Sequence, residues 1–128
     1  MAKSLRLATF VLLATSGTGA ADTTVQTLMR EKLESAHGIL DGLALGDFAK
    51  IESHAEKLKG ISRATTWYNA ESPDFQQHAK SFQNSADFLS EQAHAKNLEG
   101  VAMGYIRVTL DCLQCHNSVR AQRKGERK

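Results

Sequence analysis

Cysteine, proline and aromatic residues are scarce in this 128-residue chain, which has two Cys, one Pro and 6% aromatics. The lone proline and nine glycines exclude collagen-like and proline-rich classes. The few aromatics and few β-branched runs argue against a β-sandwich. No apolar run approaches the roughly 20 residues of a membrane span; the stretch from Leu7 to Ala14, broken by Thr9, is far shorter. Cys112 and Cys115 lie too close together to build a disulfide framework, so their role is local chemistry. Hydrophobic residues at 41% and charged residues at 23% suit one small soluble domain.

The N-terminus reads as an address. Lys3 and Arg6 form a positive start, the short apolar run follows, and small residues Ser16, Gly17, Thr18, Gly19, Ala20 and Ala21 come next. This pattern predicts a signal peptide over residues 1–21, cleaved after Ala20 or Ala21, and a mature protein with no stable membrane insertion. Cleavage lowers the basic count from 16 to 14, against 14 acidic residues, so the mature chain is formally neutral. Five of those basic residues lie after Val119, against Glu126, and leave the body acidic. That distribution is not the footprint of a nucleic-acid binder, which carries its basic face on a folded element. Residues 121–128 are expected to form a basic, disordered tail.

The remainder, residues 22–120, predicts four amphipathic helices and no strands. The first starts near Thr23, where Thr23 and Gln26 have capping-box spacing. Its stripe is Val25, Leu28, Met29, Leu33, Ala36, Leu40 and Leu43, and Gly42 and Gly46 bracket its end. Asp47 caps the second, which buries Phe48, Ile51, Ala55 and Leu58 and can run past Gly60. Trp67 and Tyr68 are expected to pack the connection from Thr65 to Glu71 onto the helices. Ser72, Pro73 and Asp74 open the third, which carries Phe75, Phe82, Ala86, Leu89 and Ala93 and ends at Asn97. The fourth has a main stripe from Leu98 through Val101, Ala102, Tyr105, Val108, Cys112 and His116 to Val119. Ile106, Leu110 and Leu113 form an apolar flank, so burial over a wide arc is expected, with Met103 packing beside it. The expected fold is an all-α, antiparallel four-helix bundle.

The chemistry lies in Cys112-Leu113-Gln114-Cys115-His116. C-x-x-C-H is the attachment motif of c-type haem. Two thiols add across the two vinyl groups of the porphyrin. On a helix, Cys112, Cys115 and His116 fall on nearly one face, so the imidazole reaches the iron once the thioethers fix the ring. Other chemistries compete. A thioredoxin-like pair wants a βαβ setting and a helix N-terminus. A structural zinc wants a fourth ligand, from His37, His54, His78 or His94.

A helical bundle with this motif near its C-terminal end resembles the class II c-type cytochromes, the cytochrome c-prime family and its low-spin relatives. The likeness covers the chain from about Thr23 to Arg120. It rests on the pentapeptide, on Arg120 four positions after His116, and on Gly38-Ile39-Leu40-Asp41-Gly42-Leu43 followed by Asp47-Phe48. The resemblance implies one covalent haem c in the bundle, a location outside the cytoplasm, and dimerisation through helices 1 and 2. It also implies a residue of helix 1 on the far side of the iron. Met29 is the candidate sixth ligand. With a thioether there, the iron is six-coordinate and carries electrons. With a shielding residue there instead, it is five-coordinate and binds NO or CO. The plainer role of Met29 is core filling. The family often has Arg one turn before the distal position, where this chain has Val25.

Lesser candidates complete the set. His37 offers a bis-histidine site or an exposed polar residue, and His54, His78 and His94 read as surface residues. Arg120 is a candidate contact to a haem propionate or the proximal side. Gly100 and Gly104 admit either a close helix or the haem. A peroxidase-like enzyme lacks support, because helix 1 offers no distal acid–base group except His37. The expectation is a periplasmic cytochrome with no enzymatic activity, working with redox partner proteins and ligating iron through His116 and Met29.

Overall fold

The computed structural model describes residues 19–66 and 72–125, with side chains for residues 24–65 and 72–125. Most of the signal segment, and Trp67 and Tyr68, lie outside them. The described residues form four helices and no strand: α1 (Gly19–Leu45), α2 (Phe48–Thr66), α3 (Pro73–His94) and α4 (Leu98–Gly125). Each helix packs on its neighbour in chain order, and α4 returns to α1 to close a four-helix array. Among the described residues no helix is long and apolar enough to cross a membrane.

The local signals work as the residue chemistry dictates. Gly46 turns the chain after α1 at φ 66°, a backbone region costly for side-chain-bearing residues. The Asp47 carboxylate accepts from the Lys50 N–H at 3.0 Å and caps α2. The Ser72 hydroxyl accepts from the Phe75 N–H, with Pro73 opening α3 and Asp74 in its first turn. Gly60 is helical, and α2 runs on to Thr66.

Three boundaries differ from the sequence expectation. α1 begins at Gly19 rather than near Thr23, because Ala20 and Ala21 have the highest helix propensity and carry the helix back through the expected cleavage site. α3 ends at His94, not Asn97. Asn97 serves the next helix instead, its side-chain oxygen accepting from the Gly100 N–H at 3.1 Å. α4 runs to Gly125, so residues 121–125 of the expected disordered tail form exposed helical turns.

The core is Ile39 of α1, Ile51, Ala55 and Leu58 of α2, Phe82, Ala86, Leu89 and Ala93 of α3, and Val101 and Val108 of α4. α3 and α4 approach closely because Gly104 has no side chain. A Cβ there would stand 2.8 Å from that of Leu89. Gln92 fills the same role opposite Gly100, so both glycines accommodate α3. α4 therefore buries Val101, Gly104, Val108 and Asp111 against the bundle. Its opposite face stays outside: Met103, Ile106, Leu110 and Leu113 are exposed, contrary to the wide buried arc expected. Leu33 and Leu40 of the α1 stripe are exposed too. The cause is geometric. Contact between α1 and α4 is the sparsest of the neighbouring pairs, so neither helix covers the other's flank.

Candidate haem-attachment site

The open seam between α1 and α4 is where the motif lies. A cavity of about 350 Å³ is lined by Met29, Lys32, Leu33 and Ala36 of α1, Leu58 of α2, Phe82 of α3, and Val108, Cys112 and His116 of α4. A smaller hollow of about 50 Å³ adds Thr65, Phe75, His78, Asp111 and Cys115. A third, of about 620 Å³, shares Met29, Cys115 and His116 and runs outward past Val25, Val119, Arg120 and Arg123. Cavities of roughly 300–1,000 Å³ are the usual size for cofactors.

Met29 lines all three hollows together with His116. The thiol pair and the candidate sixth ligand thus face one space from two helices. Both cysteines are free thiols. Cys112 is exposed as a residue, yet it lines two of the hollows. Burial pushes both thiols above their ordinary range, and the Lys32 ammonium opposes that shift. Arg120 is exposed and bonded to Asn117, at the rim of the outer hollow. His37 is exposed and is not among the residues lining these hollows.

Two histidines depart from the surface role expected of them. His78 is half-buried and lines the small hollow. His54 is half-buried against Gly38, with its Nδ1 enclosed and unpartnered. His94 is exposed, and its Nδ1 lies 2.8 Å from the Ser90 carbonyl. Met103 is exposed rather than packed. Among the described residues no group of three or more His, Cys, Asp and Glu is gathered to hold a metal ion, so the four ligands of a structural zinc do not assemble there.

Two polar residues of the site escape the sequence argument. Lys32 sits one turn after Met29, and its ammonium lies 4.6 Å from the centre of the Phe82 ring. Burial pulls it below the ordinary lysine range. Asp111 is buried; its Oδ1 accepts from the Ser81 hydroxyl at 2.6 Å, while Oδ2 is enclosed without a partner. Its spacing from Val108 and Gly104 was the available signal, since those positions share a face.

Lys32 carries a prediction. An ammonium buried mainly beside an aromatic ring weakens the haem-free fold. Lys32→Met should raise its stability by about 1 kcal/mol near pH 7. The lowered pKa means the penalty is complete at low pH and fades as pH rises towards the unfolded lysine value of 10.5. Urea titrations at pH 7 and pH 10 check this: the gain should shrink at the higher pH. A variant less stable at pH 7 contradicts it.

Comparison with protein-family models, with curated proteins and with solved structures gave no match. What the described residues define is an all-helical arrangement of four helices whose Cys-x-x-Cys-His segment borders an apolar seam.

Proposed function

We propose that this protein is a periplasmic c-type cytochrome that carries electrons through one haem c, bound by Cys112 and Cys115 and ligated by His116 and Met29. One observation carries the reading: Met29 on α1 and Cys112 and His116 on α4 line the same apolar cavity. The residues present suit such a group. Two free thiols are available for thioether bonds, an imidazole and a thioether stand on facing helices, and Val108, Ala36, Leu58 and Phe82 give the walls a hydrophobic character. A haem c bound here supplies a one-electron iron couple.

The chain's own residues divide the remaining work. The thiols fix the ring to α4, and His116 adds a neutral nitrogen donor from the same helix face. Met29 offers sulfur, which favours the ferrous state and raises the potential. The apolar walls exclude water and lower the local dielectric, which tunes the potential further. Electrons pass to redox partner proteins, and export follows from the signal segment.

The test is an absorption spectrum of protein made in a host with haem-attachment machinery. The ferric form should show a far-red sulfur-to-iron charge-transfer band, and Met29→Leu should abolish it. A band that survives the substitution assigns the sixth position to another residue. A high-spin spectrum that responds to CO replaces electron carriage with the five-coordinate, gas-binding alternative.

A further inference from the structure

We propose that Lys32 raises the reduction potential of the iron by holding a positive charge inside the haem cavity. The role rests on the cytochrome reading and deepens it, because Lys32 neither attaches the ring nor ligates the metal. Lys32 lines both the cavity of about 350 Å³ and the smaller hollow, in company with Met29, Cys112 and His116. It follows Met29 by three residues on α1, a rise of about 4.5 Å. Its ammonium lies 4.6 Å from the centre of the Phe82 ring, which lines the same two spaces.

This lysine is placed unlike its neighbours in the bundle. Lys50 pairs with Asp41, Lys59 with Glu56 and Asp87, and Lys96 with Glu52. Lys32 is in none of the ion pairs among the described residues, and an aromatic ring is its partner. Asp111, the carboxylate of the small hollow, is turned to the Ser81 hydroxyl instead. Arg30 also borders the larger cavity, but it is exposed, and salt and water screen its charge.

An unpaired, part-buried ammonium costs the empty fold stability, so packing does not account for it. A redox centre in the cavity does. Ferric iron carries one more positive charge than ferrous iron, so a fixed ammonium beside it disfavours the ferric state. At an effective dielectric of about 20, a unit charge about 10 Å from another shifts a one-electron equilibrium roughly tenfold or more. Met29 sulfur and the Lys32 charge therefore act in the same direction, from successive turns of one helix.

Spectroelectrochemical titration of the mature, haem-loaded protein at pH 7 tests the assignment. Lys32→Leu should lower the midpoint by about 60 mV, a tenfold change in the one-electron equilibrium. The far-red sulfur-to-iron band should stay unchanged. The sign separates charge from packing: an apolar side chain that merely dried the cavity would raise the midpoint. Lys32→Gln removes the charge with a polar side chain and should lower the midpoint too, which keeps the test open if the leucine variant fails to take up haem. Lys32→Arg keeps the charge and should stay close to the parent. Lys57→Gln, at an exposed position of α2, removes an equal charge away from the cavity and should move the midpoint little. A midpoint unmoved or raised by the two neutral variants, or lowered as far by Lys32→Arg, overturns the proposal. Protein that takes up no haem at all removes the cytochrome reading and this role with it. Haem held by both sulfurs with an unmoved midpoint removes the role of Lys32 alone.

Discussion

Replacing Cys112 and Cys115 together with alanine is expected to abolish covalent haem. The two sulfurs are the only thiols in the sequence, so no other residue can form a thioether. Each lines part of the hollow space at the α1–α4 seam, and both are unpaired. Cys112→Ala or Cys115→Ala alone should leave one link, with a pyridine haemochrome band displaced towards that of a singly attached ring. The double variant should release all its colour into acidified acetone, whereas the parent protein keeps its colour in the precipitate. Colour retained by the double variant contradicts the assignment of these thiols.

Leu89→Ala is expected to remove about 2–5 kcal/mol of stability. Leu89 is fully buried, and its Cβ occupies the space that the missing Gly104 side chain leaves between α3 and α4. The truncation removes Cγ and both methyls from a fully buried position and leaves a cavity in the core. The loss is a large share of the roughly 5–15 kcal/mol that holds a typical domain. At a urea slope of about 1–3 kcal/mol per molar, the midpoint should fall by at least about 0.7 M. Urea titration followed by circular dichroism measures it. Leu45→Ala, at 71% exposure, should move the midpoint little. Equal shifts for the two variants would contradict the core described above.

How much of this was legible from residues alone depended on the kind of interaction. The starts of α2 and α3 were, because Ser72-Pro73-Asp74 and Asp47 act on their own neighbours within a turn. Met29, Cys112 and His116 line one cavity; helical spacing placed Cys112 and His116 on one face, whereas setting Met29 opposite them was what the family resemblance implied. The outer face of α4 was not legible. Ile106, Leu110 and Leu113 look like core on a helical wheel, and only the close α3 contact at Gly104 decides which side of α4 is covered. Asn97 was misassigned for a related reason, because the same side chain that ends one helix can cap the next. Lys32 and Asp111 were missed because a charge in a pattern reads as a solvated position. Their burial follows from three helices meeting there, which no local signal records.

The mass of the purified mature protein bears on the central claim most directly. Haem covalently held through both sulfurs predicts a denatured chain heavier by one haem, coloured, and unreactive to iodoacetamide at Cys112 and Cys115. A colourless chain of unmodified mass, alkylated at both cysteines after expression with the attachment machinery, contradicts it.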